Sequence, residues 1–240
     1  MQLAAASGPV SCLFIRASRP LELVHTDLSG PACVPGTRGA ISRLTITDDF
    51  TRWRWLRLLT NKREESILEA FKESKATAEA QHPACKLVTT GMIRELSLLG
   101  IALQHGARHT SAAHCAYNPE QNGRAERCFR DLAESATCIL ARAGMSVSWW
   151  AEAARASNYV YNRCPHRALR CPPYGLWYGR KPNLANLRVW GCLAYVHLQK
   201  DQRDEPKHGA HTRLRIFIAY RDDYKGWEFL DQRPVREGRF

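Results

Sequence analysis

Glu126 stands within "YNPEQNGRAERCFRDLAE", residues 117–134, on what spacing marks as the inner side of a helix. Asn118-Pro119 reads as an N-cap followed by Pro at the first helical position. Downstream, Phe129, Leu132, Ala133, Ala136, Ile139, Leu140 and Ala143 recur at helical spacing, and Glu126 lies on the same stripe. A carboxylate turned toward a core requires a pairing partner or a cation. The plainer alternative is a first-turn Glu that complements the helix dipole and reaches out to water. Asp27 is the first candidate partner. It sits at the end of an expected strand, in phase with Leu21, Leu23 and His25, and strand ends are where sites gather in α/β sheets. A strand-end Asp and a helix-start Glu suit a hard divalent cation such as magnesium, which keeps several waters. Two such ions serve in-line attack on a phosphodiester, and that chemistry normally uses three acids.

The elements that must position these acids follow from the pattern. "LELVHTDLSGP" reads as a strand ended by Ser29-Gly30-Pro31. "AISRLTITDDFTRWRWLRLLT" alternates on both sides of Asp48-Asp49 and reads as an antiparallel hairpin. The turn is the favoured role for those two acids, ahead of donation to a cation. "NKREESILEAFKESKATAEAQ" predicts a helix capped by Asn61 with Ile67, Leu68 and Phe71 on its apolar side. "CKLVTT" predicts a short strand ended by Gly91, "MIRELSLLGIALQHG" a helix and "ARHTSAA" a strand. The Glu126 helix runs to about Ala143-Gly144, and "SVSWWAEAARASNYVYNRC" forms another, with Ser148 as its cap. Residues 1–18 lack periodicity, 19–165 form the main α/β unit, and 166–186 read as a turn-rich linker or docking segment. From Leu187 onward short strands without helical period make a small β-module over 187–235. A hairpin-led sheet flanked by helices is an α/β arrangement with mixed strand direction.

The chain has 240 residues, with 35 Lys and Arg against 23 Asp and Glu, a net charge of +12. Such an excess on a globular chain points to a polyanionic partner, nucleic acid above all. The longest apolar runs are too short to span a bilayer, so no membrane association is expected. Nine cysteines are scattered without a C-x-x-C pair, which supports neither a disulfide framework nor a zinc ribbon and fits a reducing, intracellular setting. His105, His109, His114 and Cys115 lie close in sequence, but their spacing crosses an expected helix end and a strand, and no zinc is expected there. Trp53, Trp55, Trp149 and Trp150 are read as core aromatics rather than base-stacking platforms.

Five segments carry a family resemblance: "PLELVHTDLSGP", "LTITDDFTRW", "YNPEQNGRAER", "SWWAEAARASNYVYNRCPHRAL" and "LRVWGCLAYVH". Together they resemble the integrase core of Copia-type (Ty1/copia) retrotransposon polyproteins, and "RIFIAYRDDYKGWEFLD" resembles the SH3-like module that follows it. The resemblance spans about residues 19–232 and keeps the motif order. It implies a ribonuclease H-like mixed sheet with flanking helices, Mg²⁺ or Mn²⁺ as cofactor, and DNA as substrate. It also implies homo-oligomeric assembly on DNA ends, and action in the nucleus or a cytoplasmic particle. By position, Asp27 corresponds to the first catalytic acid and metal ligand, and Glu126 to the third. Asn122 and Gly123 correspond to the loop shaped ahead of the acid, and Arg124, Arg127 and Arg130 to the DNA-facing side of the helix, contacting phosphates.

One acid is missing. The family's second Asp follows the fourth strand, and counting back from Glu126 lands on Thr90 in "KLVTTGMIREL". No Asp occurs from 50 to 130, and the Gly-Gly-Glu-Phe that usually follows is also missing. Glu95 falls inside an expected helix and reads as a surface residue. The family's zinc-binding segment ahead of the core is reduced to Cys12. The implied function is DNA integration, by metal-dependent phosphodiester hydrolysis and strand transfer, in a copy that has become degenerate. The alternative is a non-catalytic nucleic-acid-binding relic of the same fold.

Overall fold

In the computed structural model the alternating segment folds into three consecutive strands, β1 (Leu23–Ser29), β2 (Ser42–Asp48) and β3 (Arg54–Leu59). The structure describes residues 17–91, 119–202, 209–221 and 226–231, with the backbone alone for 89–91, 119–129 and 202. β1 and β2 are antiparallel with Asp27 opposite Thr45, and β2 and β3 are antiparallel with Ile46 opposite Trp55. A short strand, β4 (Thr89–Gly91), runs parallel to β1 with Thr90 opposite Val24 and Gly91 opposite His25. The order is β3-β2-β1-β4, a sheet of mixed direction.

Strand alternation gives the sheet two different faces. Val24, Leu44 and Ile46 pack with Ile67, Ala70 and Ala78 of α1 (Glu64–Gln81). On the other face Leu56 meets the core shared by α2 (Pro119–Ala143) and α3 (Trp150–Arg163). The expected stripe on α2 is seen where its side chains are described: Leu132, Ala136 and Leu140 are buried against Ala153, Ala154 and Ala156. Pro119 is the first helical residue, as expected, while Asn118 lies outside the described residues. The helix and strand expected over 92–118 lie outside them too.

Two local expectations need correction. Asn61 does not cap α1: its Oδ1 accepts the Arg63 N–H at 2.9 Å, so it closes a local turn and Arg63 takes the cap position. Ser148 does not cap the next helix. A 3₁₀ turn over Val147–Trp149 intervenes, and Ser146 caps it by accepting from the Ser148 N–H. The turn-rich segment contains a helix, α4 (Pro173–Tyr178), opened by Pro172-Pro173 and closed by Gly179 at φ +66°. Trp177 is 1% exposed and stacks on Trp53 at 5.9 Å, so this segment is docked on the first core. Its indole N–H donates to Gln81 Oε1 at 2.8 Å.

The β-module is an antiparallel sheet in the order β5 (Leu193–His197), β6 (Thr212–Tyr220), β7 (Trp227–Asp231). It shares the second core: Trp190, Phe217 and Tyr220 pack with α2 and α3, and Tyr220 stacks on Tyr159 at 4.1 Å. Gly191 explains part of the "VWGCLAY" motif, because it has φ +78° and any side chain there would collide with Ala143 Cβ. Among the described residues no helix is long and apolar enough to cross a membrane. Trp177→Ala should destabilise the chain by about 3–5 kcal/mol, the range for emptying a buried Trp site. Urea unfolding measures this, and a loss below about 1 kcal/mol would mean that α4 is not part of the core.

Candidate functional site

Asp27 lies on β1, two residues from His25 on the same face of the sheet, level with Thr45 and Thr47 of β2. Thr45 Oγ1 donates to the Asp27 carbonyl at 3.2 Å, tying the two strands at this point. Asp27 is partly buried, so water retains access to it. Arg43 projects from β2 in the same alternation, with its guanidinium 5.9 Å from the Trp150 ring. Burial lowers the Arg43 pKa from its ordinary value, and the negative charge of Asp27 opposes that shift.

The helix that carries Glu126 packs against β1. Asn122, Gly123, Arg124, Glu126 and Arg127 all fall in the first half of α2, where the backbone alone is described. Asn122 and Gly123 therefore belong to the helix and not to a loop ahead of the acid. Pro119 starts the helix early enough to include them, and one interior Gly costs only about 1 kcal/mol against Ala. Arg130 is exposed, as expected for a phosphate-contacting position. Thr90 lies on the strand beside β1, opposite Val24 and so three positions before Asp27. Glu95 lies outside the described residues.

Asp48 and Asp49 serve the turn. Asp48 Oδ1 accepts the Leu21 N–H at 2.9 Å, and Oδ2 accepts from the Thr51 N–H at 2.7 Å and the Thr51 hydroxyl at 2.6 Å. Asp49 Oδ1 accepts from His25 Nε2 at 3.1 Å and Arg52 Nη1 at 2.8 Å, and Oδ2 accepts the Ala17 N–H at 3.1 Å. Burial pushes the Asp48 carboxyl above its usual range, partly offset by the bonds from Thr51 and Leu21. Burial acts the same way on Asp49, but the His25 and Ala17 hydrogen bonds and the Arg52 charge outweigh it and hold that carboxyl well below the usual range. An ionised Asp49 can only accept, so His25 Nε2 carries the proton in this contact. The sequence showed the turn but not this anchoring of His25, because the partners lie 24 residues apart.

The tryptophans are core residues as read. Trp53 and Trp55 pack in the first core with Trp177, and Trp149 and Trp150 flank the second. Among the described residues no three His, Cys, Asp or Glu side chains come together to hold a metal. The described part of the site thus offers one acid, Asp27, of the hard-oxygen type that Mg²⁺ and Mn²⁺ take.

No family model matches the chain. Over 222 residues, 90% of its length, it is 28% identical to the retrovirus-related Pol polyprotein from transposon TNT 1-94 of Nicotiana tabacum. Over 200 residues, 81% of its length, it is 30% identical to the corresponding polyprotein from transposon RE2 of Arabidopsis thaliana. The chain is a homologue of Ty1/copia-type retrotransposon Pol polyproteins. It spans only 16% and 13% of the TNT 1-94 and RE2 polyproteins. Among solved structures, a chain of the simian T-cell lymphotropic virus intasome in complex with PP2A regulatory subunit B56 gamma matches 89% of this chain. The match covers 77% of that chain, at 10% identity and a TM-score of 0.48. Within this copia-type segment, "HTDL" lies on β1, "PEQNGRAER" opens α2 and "VWGCLAY" leads into the β-module.

The Asp49 anchor generates a pH-dependent expectation. Its folded pKa is depressed, so its contribution is present above the unfolded value of about 3.9 and is lost as pH falls through the folded value. Asp49→Asn should therefore cost about 3 kcal/mol at pH 7, as breaking a buried pair does. The gap between variant and parent in urea midpoint should narrow below about pH 4. A gap that stays constant from pH 7 to pH 3 would remove the ionised Asp49 from the account.

Proposed function

We propose that this chain is a degenerate integrase core of the copia type, with a ribonuclease H-like sheet and an SH3-like β-module, directed at DNA. One observation carries the reading. Asp27 lies on β1 with the Glu126 helix packed against that strand, while the neighbouring strand reads Thr89-Thr90-Gly91 where an acid is expected. Strand order and direction agree with it: an antiparallel three-strand unit is followed by β4 parallel to β1.

Asp27 and Glu126 are the residues that would hold Mg²⁺ or Mn²⁺. When bound, such ions polarise a phosphoryl oxygen and activate a water or hydroxyl for in-line attack. Thr90 supplies at most a neutral hydroxyl, so the site lacks one negative charge against the two dications such chemistry uses. Ions would be held less tightly and less firmly, and small misplacements reduce rate by about 10²-fold. Arg124, Arg127 and Arg130 would contact phosphates and orient the duplex, a role that survives loss of the acid. The net charge of +12 favours, as a second reading, a relic that binds nucleic acid without turnover. On either reading the chain acts where DNA is available, in the nucleus or a cytoplasmic particle, and assembles with further copies of itself on DNA ends.

A strand-transfer assay on short duplex ends, with Mg²⁺ or Mn²⁺, tests the degeneracy. The unmodified chain should neither cut nor join DNA, and Thr90→Asp should recover part of the metal affinity without full activity. Turnover that both Asp27→Asn and Glu126→Gln abolish would show that another residue replaces the missing acid.

A further inference from the structure

Residues 153–200 carry eight Lys and Arg and no Asp or Glu, in a chain that has 23 acids among its 240 residues. Four of the eight, Arg167, Arg170, Arg180 and Lys181, fall on the two loops that flank α4, and all four are exposed. No carboxylate among the described residues pairs with any of their side chains. α4 has six residues and is about 9 Å long at 1.5 Å per residue. The two loops are therefore joined by a short element.

The first loop is held by its own backbone hydrogen bonds. The His166 N–H donates to the Cys171 carbonyl at 3.0 Å, and the Arg170 and Leu169 N–H groups donate to the His166 carbonyl at 2.8 and 3.0 Å. Between the loops Tyr174 and Tyr178 lie 4.6 Å apart, and Arg163 is set between the Tyr159 ring at 3.2 Å and the Tyr174 ring at 5.1 Å. Arg170 itself has φ +57°, a left-handed conformation that costs a residue with a side chain roughly 1–2 kcal/mol and that Gly adopts freely. An exposed arginine without a carboxylate partner, held at a strained position, points to a role outside the fold. α4 packs through Trp177 on Trp53, beside β3, at the sheet edge opposite β4.

We propose that the loops flanking α4 form a second nucleic-acid surface, on which Arg167, Arg170, Arg180 and Lys181 contact phosphates of duplex DNA. It is carried by other elements than the α2 arginines and rests on the DNA-directed reading above. The density of positive charge without a carboxylate partner among the described residues, on a chain of net charge +12, favours a nucleic-acid backbone over an acidic protein segment.

The test uses the full chain and a fluorescent duplex, with affinity followed against salt. Three proteins are compared: the parent, a variant with all four positions changed to Ala, and a variant with Arg124, Arg127 and Arg130 changed to Ala. Each lost phosphate contact should reduce the log–log salt slope by about 0.9, so the fourfold change should flatten it by roughly two to four. Arg170→Gly alone should raise the melting temperature, by relieving the backbone, while reducing the slope by about one. A purely structural role would give the first effect without the second. If the parent binds DNA and the fourfold variant keeps its slope while the α2 variant loses it, this surface is wrong and the proposed function stands. If the parent does not bind DNA at any salt, the proposed function fails first. Binding of polyglutamate as tight as DNA, lost in the fourfold variant, would make the surface a protein-docking site and overturn the proposal.

Discussion

The location of Asp27 depends on the register between β1 and β2, and a pair of buried carboxylates holds that register. Asp48 receives the Leu21 N–H just ahead of β1, and Asp49 receives His25 Nε2 from within it. Both acids stand at the end of β2, so the turn between β2 and β3 is bonded to the strand on the far side of β2. A slip of one residue would exchange the faces of β1, sending Asp27 toward the α1 core and Val24 or Thr26 toward α2. Two adjacent buried carboxylates are an unfavourable way to build a turn unless each is fully bonded. Here six donors meet them, and one of these, the Arg52 guanidinium, also stabilises Asp49 by its charge.

From that fixed strand the remaining elements follow in layers. α1 covers the Val24–Ile46 face, and α2 and α3 cover the other with small residues: Ala153 and Ala154 let the helices approach closely, and Ala136 does so from α2. The β-module adds large side chains to the same core, since Trp190 donates through its indole N–H to the Ile218 carbonyl at 2.6 Å and Phe217 is buried. A polar clasp reinforces the contact. Glu228 of β7 is met by Arg38 at 2.9 Å, Arg221 at 2.8 Å and Arg155 at 3.7 Å, which joins a loop of the α/β unit, α3 and the module. Core and module are consequently one packed structure.

Much of this was legible in the sequence, for physical reasons that can be named. Period-two alternation marked β1, β2 and β3, and the long apolar stripe marked α2 through Leu132, Ala136 and Leu140. Cap residues were read less well, because Asn61 and Ser146 bond N–H groups two residues on, in turns that precede the helices. α4 was hidden by Pro and Gly, which signal a turn to a local reading, whereas burial of Trp177 against Trp53 is a tertiary effect. For the site, the placement of Asp27 on the first strand and of Thr90 on a strand beside it was readable. The His25–Asp49–Arg52 linkage was not, since no spacing rule ties a strand histidine to a carboxylate in the next hairpin turn.

The central claim is that Asp27 and Glu126 converge on one cation position. The most direct measurement is an experimental structure of the full chain in Mn²⁺, read by anomalous scattering. The account predicts the two carboxylates facing one another, with an oxygen of each within about 2.6 Å of a partially occupied ion. Carboxylates more than about 10 Å apart, too far to share ions with such short bonds, would contradict it.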